Sequence, residues 1–195
     1  MATVPQQQGV RQRRFSKGEY YRMGEMGFFQ GQKVELIEGR IMVLSPQNAP
    51  HWTSVERVRR RLEQVFGQGY EVRMQGPIDL GQTTEPEPDI AVVVGSLEDF
   101  KESHPNAAVL IVEISDTTVS YDRRRKGSLY ARAGVKDYWI VNLVKGQVEV
   151  YRDPIPDAKE RYGHRYSSRT DLQRGATVSP LALPGVNILV DDLLP

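Results

Sequence analysis

Two segments of the chain have the residue pattern of helices. Over residues 51–66 apolar residues recur on one face while arginines fill much of the remaining surface, which predicts a long amphipathic helix. Ser16 followed by Glu19 fits a capping box, in which the two side chains satisfy backbone amides at a helix start. A short helix is therefore predicted over about residues 17–26.

A third helix is predicted in the second half of the chain. It begins at Ser120 or Asp122, either of which can cap a helix, and capping is the simplest interpretation of Asp122. It extends to about Ala133, and Gly134 suits the left-handed conformation that often follows a helix end. Lys126 lies in the first turns of this predicted helix.

Short apolar runs predict the strands. Residues 33–44 predict a β-hairpin that turns at Glu38-Gly39. The runs at residues 89–94 and 107–114 are almost wholly apolar, as in central strands that are covered on both faces. A second hairpin is predicted over residues 135–151, followed by short strands and loops that close the domain.

Composition places the chain among ordinary globular proteins. Its 195 residues are 39% hydrophobic and 26% charged, which allows one hydrophobic core. We expect a flexible arm at residues 1–14 and a single domain at residues 15–195. No apolar stretch approaches the ~18 residues that span a bilayer, and no secretory signal is visible, so we expect no membrane association and a cytoplasmic location.

Charge and cysteine content narrow the chemistry. A formal net charge of +1 argues against a histone-like protein, which neutralises phosphates over its whole surface. The basic residues are clustered, and each cluster either contacts phosphate or forms a solvated face. The clusters are Arg11, Arg13 and Arg14; Arg57 with Arg59 to Arg61; and Arg123 to Lys126. The sequence has no cysteine, so oxygen and imidazole ligands remain, which favours Mg²⁺ or Mn²⁺ over structural zinc.

Two carboxylates occupy positions in the apolar runs where a charge needs a partner. Asp89 opens one run, and Glu113 lies near the end of the other. An ionised carboxylate that is buried alone is costly, and a divalent cation is one partner that both groups can share. Alternatively, Asp89 caps a turn and Glu113 pairs with an arginine. Lys126 follows Glu113 through a loop and a helix start, which can return its ammonium to the carboxylates.

The order of these residues resembles the PD-(D/E)XK nuclease superfamily. Pro88-Asp89 matches the PD, and Glu113-Ile114-Ser115 matches the (D/E)XK with serine in place of lysine. More narrowly, the chain is similar to the Uma family of restriction-endonuclease-like proteins, in which the lysine lies on the following helix. The matching segments are residues 34–41, 45–51, 88–94, 113–118, 121–126 and 130–141.

The resemblance implies a restriction-endonuclease-like α/β (α+β) fold, with a central mixed β-sheet flanked by helices. It also implies that Asp89, Glu113 and the Ile114 carbonyl bind Mg²⁺ or Mn²⁺, which polarises the scissile phosphate. Lys126 would orient or deprotonate the attacking water, or neutralise charge on the phosphate, and we favour the electrostatic role. Because Ser115 departs from the superfamily pattern, this assignment requires Lys126 to reach across from its helix.

Four further residues are candidates for the same site. By the resemblance Glu35 would add an acidic metal ligand; alternatively it is a solvent-side hairpin residue. His51 would contact metal or substrate, or would cap its helix. Gln75 would contact a phosphate or water, although an edge position explains it equally well. Ser115 would support the metal ligands or the substrate.

The resemblance implies a Mg²⁺-dependent endonuclease that hydrolyses phosphodiester bonds in DNA, acting as a homodimer on two-fold DNA. One alternative is a non-catalytic module on the same fold that binds nucleic acid or protein. Another is a metal-dependent hydrolase of small phosphoesters. The intact set of Asp89, Glu113 and Lys126 favours cleavage. The aromatic residues Tyr130, Tyr138 and Trp139 could stack on bases, but their spacing favours a place in the core.

Overall fold

A six-stranded mixed β-sheet forms the centre of the structure, a computed structural model that describes residues 11–195. The strands are β1 (Val34–Ile37), β2 (Arg40–Val43), β3 (Tyr70–Met74), β4 (Ile90–Val94), β5 (Leu110–Ser115), β6 (Asp137–Asn142), β7 (Gln147–Pro156), β8 (His164–Gln173), β9 (Thr177–Val178) and β10 (Ile188–Leu189). The central sheet has the order β3-β4-β5-β6-β7-β8, and β1–β2 and β9–β10 form two small sheets. Within the central sheet only β5 and β6 are parallel. The predicted mixed sheet with flanking helices is confirmed.

The first two helices begin at capped N-termini. In α1 (Lys17–Glu25) the predicted capping box is present: the Ser16 side chain accepts from the Glu19 amide, and the Glu19 side chain accepts from the Ser16 amide. The second helix, α2 (Ala49–Phe66), begins slightly before the predicted start because Asn48 caps it. His51 therefore lies inside α2 and does not cap it; its amide donates to Asn48 Oδ1 at 3.0 Å.

The helix that carries Lys126 is interrupted. An α-helical turn at Val119–Tyr121 leads into a π-helical turn at Asp122–Lys126, which continues as an α-helix at Gly127–Arg132. We call residues 119–132 the interrupted helix. The sequence predicted a regular helix in this segment. The π turn was not predicted, because apolar periodicity over so few turns does not reveal one wider turn. Such π turns are rare and occur frequently at functional sites.

The two faces of the central sheet pack into separate hydrophobic cores, because successive side chains of a strand point to opposite faces. On one face α2 contributes Val55, Val58 and Leu62, all fully buried, which pack with apolar residues of β4, β5 and β6. On the other face Tyr130 and Tyr138 pack with other residues of β4 and β5. The two apolar runs are therefore covered on both faces, as predicted.

The C-terminal region differs most from the prediction. We predicted short strands and loops after a short hairpin, but β7 and β8 form a hairpin of two ten-residue strands. β6 pairs with β7 only as far as Arg152, so Pro154 and Pro156 lie where β8 is the one strand paired with β7. Proline is tolerated there because no second strand requires its missing amide hydrogen. Neither proline therefore ends the strand.

The β1–β2 hairpin turns at Glu38-Gly39 as predicted, with φ angles of 52° and 70°. Backbone hydrogen bonds join this turn to two other segments: the Phe15 amide donates to the Gly39 carbonyl, and the Gly39 amide donates to the Thr83 carbonyl. All four residues of β1 are buried. The hairpin is thus held against the domain on both sides of its turn.

The predicted division into a flexible arm at residues 1–14 and one domain at residues 15–195 stays a prediction. Residues 1–10 lie outside the described residues. At the end of the predicted arm, Arg13 pairs with Glu19 and Arg14 pairs with Glu38. Within residues 11–195, no helix is long and apolar enough to cross a membrane.

We expect Gly39→Ala to destabilise the protein more than Gly31→Ala. Both glycines have positive φ, 70° and 76°, where an L side chain costs about 1–2 kcal/mol. A Cβ at Gly39 would also lie 2.6 Å from the Arg14 Cβ and 3.0 Å from the Phe15 backbone, whereas a Cβ at Gly31 meets nothing within 4 Å. In thermal denaturation, Tm should be lower for Gly39→Ala than for Gly31→Ala by at least about 3 °C. Equal losses would contradict the close approach of residues 14–15 to the hairpin.

Candidate active site

Asp89 and Glu113 lie side by side on neighbouring strands. Asp89 immediately precedes β4, and Glu113 lies in β5, which pairs with β4. The Asp89 amide is 3.4 Å from Glu113 Oε2, and the Ile114 amide donates to Asp89 Oδ2 at 2.9 Å. Only 9% of Asp89 and 3% of Glu113 is exposed. The structure therefore brings together the two carboxylates that the sequence singled out, in a place where their charges need partners.

Lys126 reaches the same place from the interrupted helix. Its Nζ donates to Glu113 Oε1 at 2.9 Å, and the Tyr130 hydroxyl donates to the same oxygen at 2.7 Å. Lys126 and Tyr130 are four residues apart and so share one helix face. Two donors therefore hold Oε1 of Glu113, while Oε2 faces Asp89.

Burial and the neighbouring charges raise the pKa values of both Glu113 and Lys126. Burial, with a contribution from Asp89, raises the pKa of Glu113 to about 8 against the opposing effect of Lys126. Burial alone would lower the pKa of Lys126, but Glu113, Glu35 and the other carboxylates outweigh it and hold that pKa well above its usual value. Lys126 is therefore charged at neutral pH, which suits an electrostatic role and not that of a general base.

Side-chain contacts of its first two residues anchor the π turn of the interrupted helix to the sheet. The Asp122 carboxylate accepts hydrogen bonds from the Ser115 and Thr118 hydroxyls, at 2.8 and 2.7 Å. The next residue, Arg123, forms a two-point ion pair with the buried Glu149 of β7. The interpretation of Asp122 as a helix cap is wrong: its carboxylate is buried and ties the turn to the end of β5. Ser115 thus supports the turn that carries Lys126.

Glu35 is buried beside this group. None of it is exposed, so the alternative of a solvent-side hairpin residue is wrong. Its Oε2 accepts from the Glu87 amide at 3.2 Å, while its Oε1 has no hydrogen-bond partner among the described residues. The charge of Glu35 also contributes to the raised pKa values of Lys126 and Tyr130. Few buried carboxylate oxygens in proteins lack a partner, and an ordered water or a bound ion satisfies many of those that do.

His51 contacts two of the predicted metal-binding groups. Its Nε2 lies 2.9 Å from the Ile114 carbonyl oxygen and 3.4 Å from Asp89 Oδ2. Burial would lower the pKa of His51, but the hydrogen bond and charge of Asp89 outweigh it and raise that pKa. The Ile114 carbonyl therefore already has a hydrogen-bond partner. Gln75 contacts the other oxygen of Asp89, with its Nε2 3.4 Å from Oδ1.

Sequence reasoning missed two contacts of this site. It assigned Tyr130 to the core on helical spacing, and Tyr130, Tyr138 and Trp139 are indeed fully buried, which excludes a base-stacking platform. The same spacing also placed Tyr130 on the face of Lys126, which was a signal for its contact with Glu113. Gln47, whose Nε2 lies 3.2 Å from Asp89 Oδ1, had no comparable signal because it belongs to a loop.

A pocket of about 590 Å³ opens onto this group. Asp89, Glu113 and Lys126 line it together with His51. The rest of its lining comes largely from two segments, residues 42–48 and 116–122. A hydrogen bond of 2.8 Å from Asn48 to Asp116 joins the two segments.

The fold and this buried group place the protein in the class of nuclease-like α/β folds. Among solved structures, it is similar to one described as a "putative nuclease belonging to DUF820" from Anabaena variabilis, with a TM-score of 0.60 and 18% identity. The similarity covers 83% of this chain and 89% of that chain. The chain belongs to the Uma2 family, described as "Putative restriction endonuclease", which matches residues 18–191. No curated protein matches the chain significantly.

We expect two buried glutamates, Glu113 and Glu149, to have opposite effects on the pH dependence of stability. Burial raises the pKa of Glu113 to about 8. The contribution of Glu113 to the free energy of unfolding therefore falls as pH rises from 4.5 toward 8, because the folded state keeps a proton that the unfolded state releases. Burial would raise the pKa of Glu149 as well, but the Arg123 ion pair lowers it to about 2, so its contribution is present above 4.5 and lost at lower pH.

Glu113→Gln should accordingly gain stability over the wild type as pH rises, whereas Glu149→Gln should lose stability at neutral pH. Urea unfolding with a chelator present, at about pH 5 and about pH 7.5, measures both free energies of unfolding. The free energy of unfolding of Glu113→Gln relative to the wild type should increase between the two pH values by about 1 kcal/mol or more. A Glu113→Gln variant that loses stability relative to the wild type as pH rises would contradict the raised pKa of Glu113.

Proposed function

We propose that this protein is a Mg²⁺- or Mn²⁺-dependent nuclease that hydrolyses phosphodiester bonds in DNA. The observation that carries the proposal is the buried contact of Lys126 with Glu113, 2.9 Å between Nζ and Oε1, beside the Asp89 carboxylate. Membership of a family described as "Putative restriction endonuclease" supports the same conclusion. A homodimer, the commonest assembly among soluble oligomers, also belongs to this proposal.

The residues present fit a hard divalent cation. Within residues 11–195 no three histidine or acidic side chains already form a metal-ligand cluster. Mg²⁺, however, is commonly bound through one or two carboxylates and completes its shell with water and substrate phosphates. Glu113 Oε2 has one contact, at 3.4 Å, and Glu35 Oε1 has none among the described residues. We therefore assign the cation to Asp89 and Glu113, with the Ile114 carbonyl and Glu35 as further ligands.

We assign separate roles in hydrolysis to individual residues of the site. When bound, a divalent cation would supply Lewis-acid polarisation of the scissile phosphate. Lys126, protonated at neutral pH, stabilises the negative charge that grows on the phosphate oxygens as water attacks phosphorus and the P–O ester bond breaks. Tyr130 and Lys126 fix the orientation of Glu113, and His51 fixes Asp89 and the Ile114 carbonyl. Such supporting contacts strongly affect metal sites.

We expect Asp89→Asn and Lys126→Met each to reduce the rate of DNA cleavage at least about 100-fold, because each removes one charge from the reacting group. The assay follows plasmid and labelled oligonucleotide cleavage with Mg²⁺ or Mn²⁺, and EDTA should abolish it. Asp171→Asn is the matched control, since Asp171 is exposed and its described ion pair is with Arg169.

Circular dichroism and Tm establish that each variant is folded. Cleavage by Asp89→Asn at the wild-type rate would refute the proposed site. Wild-type protein that binds DNA without cutting it would support the non-catalytic binding module instead. Faster hydrolysis of a nucleotide ester than of DNA would support a hydrolase of small phosphoesters.

We expect Glu35→Gln to weaken Mn²⁺ binding about tenfold or more, a typical effect when a group at a metal site is lost. Glu38→Gln is the matched control from the same hairpin, because Glu38 is ion-paired with Arg132 and Arg14. Isothermal titration of each protein with Mn²⁺ alone measures the affinity. Equal affinities for the two variants would remove Glu35 from the metal site.

A further inference from the structure

We propose that the pocket admits nucleic acid as a single strand, with an unstacked base held beside Tyr121 and the flanking phosphates contacted by Arg124 and Arg125. The proposal rests on the nuclease function above and specifies its substrate class. It covers single-stranded DNA or RNA, including single-stranded extensions of a duplex.

The first reason is the limited access to the three proposed catalytic side chains. Asp89, Glu113 and Lys126 are each less than a tenth exposed and line the same pocket, so a phosphodiester must enter it to reach them. Double-stranded DNA is stiff over about 150 base pairs and carries a second strand with every phosphate. A flexible single strand can enter a volume of about 590 Å³ without that constraint.

The second reason is the apolar part of the lining. Met42, Val43, Leu44 and Pro46 all line the pocket, and Val43 remains 62% exposed. A duplex presents its charged backbone outward and stacks its bases inside, so it has little to place against such a surface. Proteins that read single strands instead hold splayed bases against apolar and aromatic side chains.

The third reason is Tyr121, which lines the pocket at the start of the interrupted helix. The Arg125 guanidinium lies over its ring, 5.7 Å from the centroid. We infer that this contact restricts the ring before substrate binds, which would lower the entropic cost of stacking a base on it. Aromatic rings accept any base, so the pocket does not require a particular sequence.

The fourth reason is the free positive charge next to Tyr121. Arg124 is exposed, and neither Arg124 nor Arg125 has a carboxylate oxygen within 4.0 Å among residues 11–195. Two of the four basic residues at 123–126 are ion-paired, whereas in the arginine cluster on α2 three of the four are. The pairs on α2 are Arg59 with Glu56 and Glu63, Arg60 with Glu56, and Arg61 with Asp192. Of the two clusters, the one beside the pocket is therefore the better suited to phosphate.

The test compares cleavage of one labelled sequence as single-stranded DNA, as single-stranded RNA, as a blunt duplex and as a duplex with a single-stranded extension. We expect the wild-type protein with Mg²⁺ to cut single strands and extensions at least about tenfold faster than the blunt duplex. Tyr121→Ala should reduce single-strand cleavage about tenfold, mainly through KM, because one base loses its stacking partner. Faster or equal cutting of the blunt duplex would overturn the inference and leave the nuclease function intact.

Tyr162→Ala is the matched control. Tyr162 also has arginine guanidinium groups over its ring, those of Arg132 and Arg161, but it does not line the pocket. Its replacement should leave single-strand cleavage unchanged, and an effect equal to that of Tyr121→Ala would count against the assigned position of the base.

A binding measurement decides the case in which no substrate is cut. Fluorescence anisotropy of Asp89→Asn with the same oligonucleotides should show tighter binding of single strands than of blunt duplex, and Tyr121→Ala should remove the difference. No cleavage with this preference would defeat the nuclease function alone. No cleavage without the preference would defeat both proposals.

Discussion

A carboxylate buried inside a β-sheet is the constraint on which this site depends. Glu113 lies in β5 between β4 and β6, where water cannot solvate its charge. Its nearest partners, Lys126 and Tyr130, both come from the interrupted helix, which must pack on that face of the sheet. The wider π turn, anchored through Asp122 and Arg123, is the local structure in which Lys126 makes this contact. The π turn in the interrupted helix is thus linked to the need of the buried Glu113 carboxylate for a positively charged partner.

Glu113 and Glu149 lie in one cross-strand row of the sheet and show how surroundings separate two identical side chains. Glu149 is met by Arg123, Asn142 and Tyr151, so its charge is fully satisfied. Glu113 is only partly satisfied, and burial keeps its pKa high. Titratable groups with shifted pKa values are typical of functional sites, which often lower the stability of the folded protein.

Local sequence signals predicted those parts of the fold that local chemistry controls. Ser16 and Glu19 identified the start of α1, and Glu38-Gly39 identified the hairpin turn, because each effect acts within a few residues. The polar strand β8 was not predicted, since its conformation depends on pairing with β7 and it has little apolar periodicity. The burial of Glu35 was likewise open, because alternation in a hairpin assigns its two faces but does not say which is covered.

The amino-acid sequence marks Asp89 and Glu113, because charged groups in or next to apolar runs require partners wherever the chain places them. Lys126 was predicted from its position on the helix after Glu113 and from the resemblance to a nuclease family. The partners of these three residues depend on how the elements pack: Lys126 contacts Glu113 and His51 contacts Asp89. Oε1 of Glu35 has no hydrogen-bond partner among the described residues. The physical reason is distance. Electrostatic and hydrogen-bond energies depend on separations of a few ångströms, and residues far apart in the chain reach such separations only when the sheet and its helices are packed.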